Sequence, residues 1–454
     1  MKKHNLSQKF LLIKRAGKRL YRKRLIRSRK LKNNRDLKRA DLVNLADVLK
    51  RKKRLSYFEK IAPRSVKKRN HGKVEFLNIS VGRDFSIISN PESVLNIVSH
   101  VAHTSKSRKH KGISVDFSKT THHDLGAQIL LGVVAKDLSI IKSQHGIGFP
   151  AQALYPPDEG MRRVIRSIGI VKEIMNDEIA PSDKDKIKVY TGTSETNEKI
   201  SLQASSKKQR VVDGFIQHMN DCLTSSIKKI LSPEGEDQFT RYIGELINNA
   251  QDHSGEQMWS VHGYLDTTNR DKLYQEIVIY NLGKDIASTF KDKREVPEVY
   301  TPKMKAYVAA HSKRCSEDAL LLVQSLQQFV SSRRDDDEDE GSFTRGQGLS
   351  EMLQFFDRMA HACCPEVGPA QLAGKTTMCI MSGSVHIKLD GTYSRQTASN
   401  RTTLYLNKDN SEQTEPDRRF ITELKGLSFP GTLIAVKYPL KDESLVIKKD
   451  EEFE

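Results

Sequence analysis

Apolar positions along the chain recur with two periods, and the alternation between them predicts the elements. Val74-Glu75-Phe76-Leu77-Asn78-Ile79 and Phe85-Ser86-Ile87-Ile88 read as strands. Pro91-Glu92-Ser93 then opens a helix that places Val94, Ile97, Val98 and Val101 on one face. Ile113-Ser114-Val115-Asp116-Phe117 predicts a short buried strand, and Leu125, Ile129, Leu130 and Val133 a second helix. After Pro156-Pro157 a third helix is expected from Met161 to Met175, interrupted at Gly169. This succession implies a mixed sheet with helices packed on it over residues 73–200. Residues 176–209 are polar and read as a linker with one strand at Ile187–Tyr190.

A second region, 210–440, begins its pattern at Tyr242-Ile243-Gly244-Glu245-Leu246-Ile247-Asn248-Asn249-Ala250-Gln251-Asp252-His253-Ser254. Ile243, Leu246, Ile247 and Ala250 form the buried stripe of a helix. Trp259 to Leu265 alternates like a strand, and Glu276-Ile277-Val278-Ile279-Tyr280 reads as its hairpin partner. A helix from Glu351 to Met359 follows, then strands at Met378–Ser382, Val385–Leu389 and Pro430–Val436. Residues 441–454 form a charged tail.

Composition narrows the class. With 454 residues, 37% hydrophobic and a mean hydropathy of −0.57, the chain has room for two or three domains of a soluble protein. No apolar run approaches the roughly 20 residues of a membrane span. Near the N-terminus only Phe10-Leu11-Leu12-Ile13 is apolar, too short for a signal peptide. Cys222, Cys315, Cys363, Cys364 and Cys379 form no regular framework, so reduced thiols and a cytoplasmic location are expected.

Charge is concentrated at one end. Residues 1–70 hold 27 Lys and Arg against four acidic residues, while the rest of the chain carries a net charge of −4. Residues 1–72 are therefore a basic arm, with helical character where Leu42, Leu45, Ala46 and Leu49 form a short stripe. Runs such as Lys50-Arg51-Lys52-Lys53-Arg54 meet a nucleic acid, dock a protein partner, or solubilise the chain. A membrane surface fits least, because the stripe is short and lacks aromatic anchors.

The candidate chemistry lies on the helix around Glu245. Glu245, Asn249 and Asp252 recur at i, i+4 and i+7 and project from one side. A carboxylate one turn from a carboxamide suits metal-assisted phosphoryl chemistry: the amide oxygen is a hard ligand for Mg²⁺, and the carboxylate orients or deprotonates a water. The plain alternative is an exposed polar face. Thr344-Arg345-Gly346-Gln347-Gly348-Leu349-Ser350 adds closely spaced glycines at a helix start, where backbone N–H groups approach phosphate oxygens.

This ordered set resembles the GHKL ATPase superfamily, which includes DNA gyrase and the histidine-kinase ATP-binding domains. The resemblance spans about 200 residues. Glu245-Leu246-Ile247-Asn248-Asn249-Ala250 matches the family's N box, so Glu245 is implied as the general base and Asn249 as the Mg²⁺ ligand. Asn281-Leu282-Gly283-Lys284-Asp285-Ile286 stands at the first glycine box, Gly346-Gln347-Gly348-Leu349 at the second, and Gly431-Thr432 at the terminal strand motif. ATP-binding roles are thereby implied for Asn249, Asp252, Asn281, Gly283, Arg345, Gly346, Gly348, Leu349 and Thr432. Asn281 replaces the aspartate that accepts the adenine amino group's hydrogen bond, and Asp285 replaces a glycine. Asp335-Asp336-Asp337-Glu338-Asp339-Glu340 falls where the family has its ATP lid. Ile113 to Thr121 and the helix after it are similar to a STAS-type domain, with His122-His123-Asp124 in place of that family's aspartate-serine turn.

The fold class expected is α/β (α+β): a GHKL-type (Bergerat) sandwich preceded by a smaller mixed-sheet domain and a basic helical arm. The function implied is an ATP-dependent switch protein using ATP and Mg²⁺, in the cytoplasm, with a homodimer as one arrangement. Two alternatives stand beside it, an anti-sigma-type protein serine kinase and a non-catalytic nucleic-acid-binding scaffold. Gly374-Lys375-Thr376-Thr377 is no P-loop, because Pro369 occupies the position of the required earlier glycine.

Overall fold

The computed structural model describes residues 35–63, 75–106, 110–144, 148–175, 187–194, 207–253, 258–266, 273–328, 330, 349–350, 352–354, 356–357, 376–398, 401–440 and 445–447. The chain divides after Lys52. The first unit contributes the start of helix α1 (Arg35–Glu59), held there by an i,i+4 ion pair from Arg51 to Asp47 at 2.8 Å. Leu45 and Leu49 of the expected stripe are exposed on it.

The second unit opens with an α/β layer. Its strands are β1 (Glu75–Ser80), β3 (His110–Asp116) and β5 (Ala151–Leu154), with β2 (Asp84–Phe85) and β4 (His122–His123) forming a short bridge. The order β1-β3-β5 is parallel throughout, where the sequence implied a mixed sheet. Helix α2 (Pro91–His103) connects β1 to β3, and α3 (Leu125–Ser143) connects β3 to β5. Asp124 caps α3, its carboxylate accepting from Ala127 N at 2.8 Å. Helices α4 (Glu159–Ile168) and α5 (Ile170–Met175) break at Gly169 as the sequence predicts.

Strand β6 (Ile187–Thr193) extends the predicted Ile187–Tyr190 segment and forms one edge of a seven-stranded antiparallel sheet. The other strands are β8 (Trp259–Asp266), β9 (Tyr274–Leu282), β10 (Thr377–Gly383), β11 (Val385–Leu389), β14 (Ile421–Glu423) and β15 (Phe429–Pro439). The spatial order is β14-β11-β10-β15-β9-β8-β6. Short pairs β7 (Lys229–Leu231) with β16 (Leu445–Ile447), and β12 (Gln396–Ala398) with β13 (Arg401–Thr403), lie outside it. This region also holds helices α6 (Lys207–Ile227), α7 (Pro233–His253), α8 (Ile286–Asp292), α9 (Pro302–His311) and α10 (Glu317–Ser325).

One face of the large sheet supplies Val261, Ile277, Ile279, Met378, Ile380, Ile434 and Val436 to an apolar core shared with α6, α7 and α10. Contact is close where α6 crosses β8: a Cβ on Gly263 would stand 2.2 Å from the Phe215 ring, so only glycine fits. The opposite face is buried as well, which is unusual for an antiparallel sheet. It carries His262, Tyr264, Glu276, Tyr280, Cys379, His386 and Lys437, and the α/β layer covers it.

The charged groups on that face, Glu276 and Lys437, are paired, whereas both ring nitrogens of His386 and Nε2 of His262 are buried without a hydrogen-bond partner among the described residues. Glu276 accepts from Leu125 N at 2.7 Å and from Lys437 Nζ at 2.7 Å. Coulombic attraction to Glu276 raises the Lys437 pKa, and the lysine in turn holds the Glu276 carboxyl low against the opposing effect of burial. Arg54 grips Asp137 with two bonds of 2.6 and 2.7 Å, and the Asp137 side chain is wholly buried. Burial pushes the His262 imidazole down to about 3 and that of His386 to about 4, so both are neutral at physiological pH. No helix among the described residues is long and apolar enough to cross a membrane. The fold is mixed, with helices and several sheets, in the α+β class.

Candidate functional site

Helix α7 begins at Ser232-Pro233, where Ser232 Oγ accepts from Gly235 N at 3.1 Å and Glu234 and Glu236 meet the positive end of the helix dipole. The predicted stripe is buried: Ile243 and Ile247 are inaccessible, and Leu246 and Ala250 nearly so. That fixes the rotation of the helix and leaves Glu245 half-buried on another side. Asn248 Nδ2 donates to Glu245 Oε1 at 3.2 Å, while Lys208 Nζ from α6 donates to Asn248 Oδ1 at 2.7 Å. The Asn248 amide thus bridges a cation and the candidate base. Asn249 and Asp252 lie on α7, and their side chains are outside the described residues.

The end of β9 and the start of β15 meet beside the last turns of α7. Thr432 pairs with Asn281 across the two strands, and Thr432 N donates to Asn281 Oδ1 at 2.7 Å. Asn281 Nδ2 donates to Ala250 O at 3.1 Å. One buried amide therefore ties α7, β9 and β15 together, retaining one spare N–H and one spare lone pair. Gly431 makes the junction feasible. Its φ is +139°, and a Cβ there would fall 2.2 Å from Asn281 O. Gly283 N donates to Pro430 O at 3.0 Å on the same edge.

Ser382 at the end of β10 completes the cluster. Its hydroxyl accepts from Ile286 N at 2.9 Å and lies 2.8 Å from Thr432 Oγ1. Asp285 turns its carboxylate to cap α8, accepting from Ser288 N at 2.8 Å and Ser288 Oγ at 2.6 Å.

No protein-family model, curated protein or solved structure matches this chain.

Of the sequence-predicted residues, the structure brings Asn281, Gly283 and Thr432 together beside the backbone of α7 at Ala250. Glu245 lies on α7, more than one turn before that junction. Leu349 is helical and packs against the main apolar core. Arg345, Gly346, Gly348 and the acidic run Asp335–Glu340 lie outside the described residues. Sequence reasoning missed Lys208, Asn248 and Ser382. Asn248 sat in plain view beside Asn249, but Lys208 is 40 residues away and reaches the site only because α6 packs on α7. Among the described residues, no group of three His, Cys, Asp or Glu side chains gathers for a metal.

Proposed function

We propose that residues 210–440 form a nucleotide-binding unit of GHKL type, binding ATP with Mg²⁺ and hydrolysing it to drive a switch in the rest of the chain. The observation that carries this reading is the Asn281 amide, which gathers the N-box helix, the first glycine box and the terminal strand at one point. Three motifs separated by some 180 residues have no local reason to meet there. The donor set fits the base of a nucleotide, because the spare N–H and lone pair of Asn281 match an edge offering one acceptor and one donor.

When bound, ATP supplies the transferable phosphoryl group and Mg²⁺ neutralises its charge. Glu245 orients and deprotonates the attacking water, and the Asn248 amide, anchored by Lys208, holds that carboxylate in place. Asn249, one turn further on, is the residue that would hold the metal. The basic residues 1–70 contact nucleic acid or an acidic partner and respond to the nucleotide state.

ATP turnover by the wild-type protein and by Glu245→Ala, each with and without DNA or RNA, tests the reading. Turnover should fall at least about 100-fold in the variant, and stimulation by nucleic acid should vanish when residues 1–70 are removed. Equal turnover by both proteins would eliminate the base assignment. Phosphoserine or phosphothreonine appearing on the chain under Mg-ATP would instead favour the serine-kinase alternative.

A further inference from the structure

The α/β layer carries a separate concavity of 940 Å³ that none of the chemistry above uses. It opens at the carboxyl ends of β1, β3 and β5, the edge at which α/β sheets present their ligand-binding loops. Three loops line it, and the backbone fastens them into one frame. Thr121 N and His122 N both donate to Arg83 O, at 2.8 and 3.0 Å, and Thr120 Oγ1 donates to Gly82 O at 3.0 Å. Phe117 N donates to Leu154 O at 2.7 Å, joining the second loop to the third. The third loop is braced in turn by Arg162, which donates to Pro156 O and Pro157 O.

This frame presents two exposed cations, Arg83 and Lys119, from neighbouring loops. Neither has an ion pair among the described residues. Asp84, next to Arg83, accepts from Ser89 Oγ at 2.7 Å. Asp116 accepts from Ser118 N at 2.8 Å and feels the charge of Lys119. Asp158, on the same lining, caps the following helix by accepting from Met161 N at 2.7 Å. Pro156, Pro157 and Met161 form an apolar wall beside the charges.

We propose that this concavity binds a small molecule that joins a phosphate dianion to an apolar or aromatic body. The Arg83 fork and the Lys119 point charge outnumber the Asp158 carboxylate on the same lining, and the planar guanidinium fork matches the oxygens of a phosphate. The proline and methionine wall receives the body, and the volume lies within the range of ligand pockets. The loops are already locked together, so little ordering opposes binding. The site is independent of the ATP reading, because its residues all precede residue 162.

Phenyl phosphate is the smallest probe with both features, and equilibrium dialysis against the full chain tests the proposal. Phenyl phosphate should bind more tightly than inorganic phosphate, and phenol should not bind. The double variant Arg83→Ala/Lys119→Ala should lose at least about tenfold in affinity while melting at the wild-type temperature, since both side chains are exposed. Asn249→Ala should leave phenyl phosphate binding unchanged, separating this site from the one at α7. Absence of binding by the wild type, equal affinity in the double variant, or loss in Asn249→Ala would each overturn the proposal.

Discussion

Lowering the pH from 7.5 to 5.0 should remove about 4 kcal/mol of folding stability through His262 and His386 alone. Both imidazoles are 2% exposed, His262 stacked on Tyr280 and His386 within β11. In the folded chain they titrate at about 3 and about 4, against 6.5 for the free side chain. Their folded values lie below their unfolded values, so the unfolded chain takes up protons first. The stability they permit is complete above 6.5 and is lost as the pH falls towards their folded values. At pH 5.0 each site costs about 2 kcal/mol, together a large part of the 5–15 kcal/mol typical of a folded domain. His123, lowered to about 4 and less completely buried, adds in the same direction. Asp124, whose carboxyl burial pushes up, acts in the opposite one. The informative quantity is therefore the difference between wild type and His386→Leu, in which the Asp124 contribution cancels. Urea unfolding followed through Trp259, the chain's single tryptophan and itself buried, reports the state of the sheet. The variant should gain about 2 kcal/mol over wild type between pH 7.5 and 5.0. A difference that stays constant within 0.5 kcal/mol (roughly the precision of such ΔΔG values) would refute a neutral, buried His386.

Other substitutions probe the junctions directly. Asn281→Asp keeps an acceptor for Thr432 N but sets an oxygen against Ala250 O, so it should destabilise by about 1–3 kcal/mol. Urea midpoints should show that loss easing at acid pH, where the new carboxyl is protonated. Asp137→Ala removes the buried carboxylate that holds the Arg54 guanidinium and should cost about 3–5 kcal/mol, whereas Arg54→Met/Asp137→Leu should recover most of that in the same assay. Gly431→Ala meets Asn281 O and a backbone angle reserved for glycine, so a loss of at least about 2 kcal/mol is expected by thermal melting. If the strand junction positions nucleotide, ATP affinity should fall in that variant as well.

Periodicity located most of the described elements that matter, because helix α7 and the β8–β9 hairpin each bury a regular stripe. It was less successful where side chains capture the backbone. Phe85 to Ile88 reads as a strand, yet only Asp84–Phe85 is extended. The Ser86 hydroxyl accepts from Ile88 N and Ser89 N, and Asp124 also accepts from Ile88 N, which turns the chain. The exposed Leu45 and Leu49 show that apolar spacing on a helix does not guarantee a surface to cover it. The most consequential omission was the second buried face of the large sheet. Glu276 and Lys437 look like solvent-facing residues of alternating strands, and only the tertiary contact with Leu125 N reveals their burial. Asn281 was legible as a site residue, but its role as a tie between three elements was not, because its partners lie 31 and 151 residues away.

The place of β15 in the sheet also sets an order of events during synthesis. This strand follows both β9 and β10 in the chain, yet it lies between them. Until residue 439 has left the ribosome, β9 and β10 each present an unpaired edge, and the sheet has no centre. The large sheet must wait in a partly open form, with long-range pairing as the slow final step. Those two apolar edges are ready templates for other chains during that interval. A chain that stops before Phe429 would therefore aggregate, because β9 and β10 would keep their open edges.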